Sequence, residues 1–219
     1  MANPVSTPAN DVAARIAQRT LAGREAGYAS EVRRLLDAAL DVMRRCGTAS
    51  RPRVADIVAE AGLSNDAFYR HFPSKDALVA AILEDGTERL RSYLDHQMAK
   101  EATPAGQVRR WVEGVLGQAA DPEIAATTLA VLWNGGSVGE GLPSGRPTAA
   151  APLATLLGEP FAALGSADPD LDAALAAHAV VGLLSDYLWG RVRPSRADID
   201  RVADFCLAAA GAGGGGGRS

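Results

Sequence analysis

The sequence predicts an all-α protein, a short three-helix unit at the N-terminus followed by a larger helical bundle. Three observations carry that expectation. Apolar residues recur at the i, i+3, i+4, i+7 spacing of a helix in segment after segment. Alanine and leucine are abundant while aromatic residues make up only 5% of the chain, a composition that suits helices better than strands. Nowhere does a strand-like alternation of apolar and polar residues appear.

The elements follow in order. Residues 1–29, rich in Ala, Pro, Asn, Ser and Thr with Arg15, Arg19 and Arg24 spread along them, are expected to be a flexible arm. The first helix is expected from Ser30, an N-cap residue type, to Gly47, a helix stop, with Val32, Leu35, Leu36, Ala39, Leu40, Met43 and Cys46 on its buried stripe. A short second helix starts at Pro52, a residue suited to a first turn, and runs through Val54, Ile57, Val58 and Ala61 to Gly62. A third follows Ser64 and holds Ala67, Phe68 and Phe72 before Pro73 ends it. Ser74 caps a long fourth helix over about 75–100, with Leu78, Ile82, Leu83, Leu90 and Leu94 on one side. Further helices are expected at roughly 105–120, 122–134, 148–165, 168–190 and 196–210. The run NGGSVGEGLPSGR at 135–147 reads as a loop by composition. The domain organisation is therefore an arm at 1–29, a three-helix unit at 30–76, a bundle at 77–210 and a disordered glycine-rich tail at 211–219.

Bulk properties narrow the function. With 47% hydrophobic and 22% charged residues the chain has globular composition. Its formal charge is −4, but residues 1–76 hold 11 Lys and Arg against 9 Asp and Glu, a net of +2, and residues 77–219 hold 11 against 17, a net of −6. That asymmetry suggests two jobs in one chain. Cys46 and Cys206 stand far apart in apolar stretches and read as buried free thiols in a reducing cytoplasm. There is no signal-peptide core, and no apolar run approaching the roughly 20 residues of a membrane span, so a cytoplasmic protein is expected.

The informative stretch is RPRVADIVAEAGLSNDAFYRHFPSKDAL, Arg51 to Leu78. Only Ala61-Gly62-Leu63-Ser64 separates two short helices, which demands a tight turn. Gly62 can adopt the positive φ such a turn requires, Leu63 can fill the space between the helices, and Ser64 can cap the next one. With Val58 and Phe68, Leu63 sets the interhelix angle. This is helix-turn-helix geometry, whose second helix lies in the major groove of DNA. That second helix presents Asn65, Asp66, Tyr69, Arg70 and His71 in two turns, with Lys75 just beyond Pro73. Polar groups at its start suit base edges, and the aromatic hydroxyl and cations behind them suit phosphates. A helical hairpin with a solvated face is the bland alternative.

The run Ile57…Ala61-Gly62-Leu63-Ser64…Phe68-Tyr69-Arg70-His71-Phe72-Pro73-Ser74-Lys75-Asp76-Ala77-Leu78 closely resembles the signature of the TetR family of transcriptional repressors. The match spans about a tenth of the chain, and the helix lengths around it extend the likeness. The resemblance implies an N-terminal DNA-binding unit, a variable ligand-binding core, and homodimerisation through the last two long helices. It implies that Ser64 caps the recognition helix, that Tyr69, His71 and Lys75 touch the DNA backbone, and that Phe68 and Phe72 are core. Asn65, Asp66 and Ala67 are expected to face base edges, with Arg51, Arg53 and Arg70 completing the DNA-contacting set. Asp66 stands where the family commonly has Gly, Ala67 where Thr is frequent, Val58 where Ala is usual, and Arg51-Pro52-Arg53 replaces a usual pair of threonines. These departures bear on which operator is read.

Enzyme chemistry finds little support. Three histidines without HExxH spacing and two separated cysteines supply no metal site, and no cofactor motif occurs. The glycines at 135–141 lack the Gly-Lys-Ser/Thr ending of a phosphate loop, and there is no GxSxG elbow. Trp111, Trp133 and Trp189 each fit core filling. As a set, with Asn134, His178, Asp186 and Tyr187, they are candidates for a ligand pocket between helices. The helix at 168–190 is apolar nearly all round, so it is expected to be buried on two sides, with Ala173, Ala177 and Gly182 meeting a partner subunit. Ile199, Val202, Phe205, Cys206 and Ala209 form the stripe of the last helix, and together these two elements would make an isologous interface. The expected protein is a dimeric repressor that binds palindromic double-stranded operator DNA and responds to a small-molecule inducer or co-repressor. The alternative is a constitutive DNA-binding or partner-binding module without ligand response.

Overall fold

The computed structural model describes residues 12–135 and 149–211. Among these residues there are ten α-helices and no strand. The expected loop at 136–147, the tail beyond 211 and the first eleven residues of the arm lie outside the described residues.

Helix α1 spans Val12–Cys46 and is 35 residues long. It starts well before Ser30, so the arm expectation is corrected for residues 12–29. Six alanines together with Arg, Gln and Leu give that stretch high helix propensity. Adding turns to a helix already formed also avoids the unfavourable nucleation step. The second half of α1 buries Leu35, Ala38, Ala39, Val42 and Met43, the expected stripe, and Gly47 ends it at φ +55° with its N–H on the Met43 carbonyl.

Helix α2 is Val54–Ala61, beginning after the buried Pro52 rather than at it. Helix α3 is Asn65–His71 and α4 is Lys75–Met98. Leu35, Ala39, Met43, Ile57, Phe68, Leu78 and Val79, all fully buried, form the core of this N-terminal unit, joined by Ala130 and Val131 from α6 (Pro122–Asn134). A second core gathers α5 (Pro104–Ala120), α7 (Ala150–Ala154), α8 (Gly158–Ala163), α9 (Pro169–Gly190) and α10 (Arg196–Gly211) around Trp111, Leu116, Leu153 and Phe161. Helix α4 belongs to both: Leu78, Val79 and Ile82 enter the first cluster, Leu94 and Met98 the second.

The single helix expected over 148–165 is two short ones. Pro160 has no N–H to give the turn before it, and its ring crowds the preceding carbonyls, so α8 has to start afresh. Helices α5, α6 and α9 begin on Thr103, Asp121 and Asp168, whose side chains accept the first free backbone N–H groups. Helix α9 commits Ala173, Ala176, Ala177, Val180, Leu184 and Leu188 to the chain's own core. Ala173 and Ala177 are therefore unavailable to a partner, contrary to expectation, while Gly182, Leu171, Leu175, Leu183 and Trp189 stay exposed. On α10 Cys206 is buried and Phe205 exposed. Burial pushes the Cys206 thiol up to about 11, which keeps it protonated and unreactive; Cys46 is only partly buried. By length and hydropathy alone α9 could span a bilayer, but its inner face is occupied by the core.

Candidate functional site

The turn between α2 and α3 is built by local chemistry. Gly62 sits at φ +62°, and its N–H reaches the Ala59 carbonyl, while the Leu63 N–H bonds to the Val58 carbonyl, closing α2. Arg34 of α1 donates from Nη2 to the carbonyl oxygens of Ala61 at 2.5 Å and Gly62 at 3.1 Å. A Cβ at position 62 would lie 3.0 Å from that nitrogen, so glycine is needed here for conformation and for space. Ser64 Oγ accepts the Ala67 N–H at 3.1 Å. At the other end Phe72 turns extended, and Ser74 Oγ accepts the Ala77 N–H at 3.1 Å to start α4.

The rotation of α3 is set by Phe68, fully buried, with its ring edge-on to Tyr69 at 5.2 Å between centroids and 6.0 Å from Phe72. This leaves Asn65, Asp66, Tyr69 and Arg70 on the outer face, Tyr69 at 57% exposure. Two expected contacts are not there. Ala67 is buried at 3% exposure, inside the unit rather than on the face that could meet base edges. The His71 side chain is wholly buried: its Nε2 lies 2.6 Å from Glu31 Oε2, and its ring meets the Tyr28 edge at 4.2 Å. His71 therefore ties α3 to α1, and its Nδ1 has no hydrogen-bond partner among the described residues. The bond from His71, aided by the charges of Arg70 and Arg34, holds the Glu31 carboxyl below its ordinary value against the opposing effect of desolvation.

The other cations have structural partners. Arg53 forms a fork on Asp56, at 2.9 and 2.8 Å. The Arg51 guanidinium lies 5.5 Å from the centre of the Trp133 ring, linking the N-terminal unit to α6. Lys75 is half-buried with Nζ 3.5 Å from the Pro52 carbonyl. What remains for a ligand of the unit is a polar helix face with Asn65, Asp66, Tyr69 and Arg70 exposed, and beside it Lys75, whose 3.5 Å contact leaves its ammonium able to turn outward.

Residues 35–82 match the family model described as bacterial regulatory proteins, tetR family. Residues 35–82 thus carry a DNA-binding unit of the tetR type. The match covers the second half of α1 through the first turns of α4, the helix-turn-helix and its supports. Across the TetR-type fold the solved structures agree with the helical bundle beyond it. A structure assigned to the TetR family from Mesorhizobium loti MAFF303099 is similar over 84% of this chain and 96% of its own, at TM-score 0.61 and 18% identity. The regulator FadR from Bacillus subtilis, in complex with stearoyl-CoA, is similar over 82% and 97%, at 0.53 and 13%. RolR in complex with resorcinol is similar over 88% and 97%, at 0.55 and 17%. No curated protein matches the chain.

The TetR-type core contains a cavity of about 560 Å³, lined by residues of α1, α4, α5, α6 and α9. Its walls are mostly apolar, with Leu36 and Leu40 of α1, Leu83 and Leu90 of α4, Val131 of α6 and Trp189 of α9. Thr127, Thr128, Ser185 and Gln118 supply neutral polar groups. Of the expected pocket residues Trp189 lines it, and Trp111, Trp133, Asn134, His178, Asp186 and Tyr187 do not. Trp111 is fully buried, with its indole N–H on the Leu153 carbonyl at 3.1 Å. Asn134 is buried and bonds to the Ala130 carbonyl, and His178 is exposed on α9. Tyr187 lines a smaller space of about 330 Å³ beside Thr48 and Arg191. Sequence reasoning missed Glu31, Arg34 and most of the cavity wall, because nothing near those residues in sequence marks what they face.

Proposed function

We propose that the protein is a transcriptional repressor that binds a palindromic operator as a homodimer through α3 and leaves it when a small molecule fills the α1/α4/α6/α9 cavity. The observation that carries this is the make-up of the cavity wall. Leu36 and Leu40 belong to the same α1 face region that supports the helix-turn-helix, and Ile82 and Leu83 continue the helix that begins at Lys75. A ligand lodged there pushes on the two helices that hold α3 in place. Exposed Leu171, Leu175, Leu183 and Phe205 on α9 and α10 supply an apolar face for two-fold association. Two α3 helices on such a dimer fit half-sites only at ~34–36 Å or a multiple of it, so a tilt of α4 is enough to release DNA. The reading makes the protein cytoplasmic and without catalytic activity; FadR with stearoyl-CoA and RolR with resorcinol, which share its fold, each hold a small molecule.

The DNA half of the proposal is tested by selecting a consensus site from a random duplex pool. Lys75→Ala should weaken binding to all sequences alike and lower the slope of log affinity against log salt by about one. Asp66→Gly should change the selected consensus more than the affinity, since an exposed carboxylate at the start of α3 can accept from cytosine N4. An unchanged salt slope for Lys75→Ala, together with an unchanged consensus for Asp66→Gly, is incompatible with α3 docked in the major groove.

For the ligand half, a compound found by its effect on the melting temperature should bind with an affinity about 5–150-fold lower in the presence of saturating operator, a coupling of ~1–3 kcal/mol. Equal affinity with and without operator would leave the constitutive module as the reading.

A further inference from the structure

The first 18 residues of α1, 12–29, stand clear of both cores. Every described side chain from Ala14 to Ala29 is exposed, Ile16 at 57% and Leu21 at 56%, and Tyr28 touches the body through His71. An unsupported helix of this length is marginal in water. The stretch carries Arg15, Arg19 and Arg24 against a single acid, Glu25, a net of +2 in a chain of −4. None of the three arginines is in a salt bridge among the described residues.

Its direction follows from the contacts of the rest of α1. The far end of α1 lies on the bundle, where Arg44 Nε donates to Thr127 Oγ1 at 3.1 Å. Glu31 lies against His71 at the end of α3, beside the exposed Arg70 and 3.6 Å from its guanidinium. Beyond that point the helix continues away from the bundle for ~27 Å at 1.5 Å per residue. That is the length of about eight base pairs of duplex. Its apolar side chains do not make one stripe: Val12 and Ile16 fall about 140° around the helix from Leu21 and Tyr28. A protein partner would want a single apolar seam. Arg15 and Arg19 fall about 40° apart on one side of the helix, a charged side that suits a polyanion, while Arg24 lies about 140° or more round from them.

We propose that residues 12–29 form a second DNA-contacting element, a helix whose Arg15 and Arg19 lie on the phosphates flanking the site that α3 reads. This rests on α3 being the recognition helix. Phosphate contacts carry no base information, so the element adds affinity and salt dependence and leaves the consensus unchanged. The flank supplies the surface that the free helix lacks.

The test uses the full chain and the consensus it selects from a random pool, in one duplex extending about 15 base pairs beyond each half-site and one trimmed to the half-sites. With the long duplex, R15A/R19A should lower the salt slope by about two for each arm in contact and weaken binding roughly ten- to a hundredfold near 0.15 M salt, while selecting the same consensus, and R24A alone should change the slope little. The R15K/R19K variant should keep the slope, and on the trimmed duplex wild type and the alanine variant should bind alike. Equal slopes and affinities on the long duplex overturn the proposal. So does a change of oligomeric state without a change of slope, which gives the helix to a second copy. If the wild-type chain selects no site, the reading of α3 fails first and this proposal falls with it.

Discussion

Replacing Trp111 with alanine should destabilise the C-terminal core by about 3–5 kcal/mol. The indole is fully buried on α5 among Leu116, Leu153 and Phe161, and its N–H reaches across to the Leu153 carbonyl on α7 at 3.1 Å. Truncation opens a large void beside a seam that is already filled: the space a Cβ at Gly114 would need is taken by Leu94 Cδ2. The backbone therefore has little room to collapse into the gap. Trp111→Phe keeps most of the ring volume and should cost far less, with about 1 kcal/mol from the lost hydrogen bond. Denaturant unfolding of the two variants beside wild type measures both numbers. A Trp111→Ala chain within about 0.5 kcal/mol of wild type would mean that the ring is not packed as described, and would reopen its candidacy as a ligand contact.

Phe68→Ala should have an effect of the same order, about 3–5 kcal/mol, in the other core. Phe68 is fully buried between α1, α2 and α4, beside Leu35, Ile57 and Leu78, and it fixes which face of α3 points outward. Losing it should abolish operator binding even where the chain remains folded, because α3 no longer has a defined rotation. The neighbouring Tyr69→Ala is the control: Tyr69 is 57% exposed, so its removal should change stability by no more than about 0.5 kcal/mol while weakening DNA binding. Circular dichroism and a duplex-binding assay on both variants separate the cases. If Phe68→Ala bound the selected site as tightly as wild type, the orientation of α3 would have to be set by something else.

What the sequence by itself determined is what is settled within about four residues. Ser64, Ser74 and Gly62 act as cap, cap and left-handed stop, because each satisfies or frees backbone groups of its own turn. The helix-turn-helix, the all-α class and the burial of Phe68 and Phe72 were legible for the same reason: periodicity and spacing are local. Helix α8 belongs here too, since Pro160 foretells the break that a reading by apolar spacing alone overlooks.

Tertiary structure decided which way each side chain on those helices faces. Helix α3 is only seven residues long, so its apolar stripe is two turns deep and Ala67 gives no clear sign of which side it is on. The face was chosen by Glu31, 40 positions away from His71, and by the packing of Phe68. Trp111 points inward because the Leu153 carbonyl, 42 residues on, takes its N–H. The cavity is walled by five helices that meet only in the folded chain, so no segment of sequence could announce it. The start of α1 is the intermediate case. Composition favoured an arm, but continuity with a helix anchored by the core removed the nucleation step that would have kept residues 12–29 from forming a helix on their own.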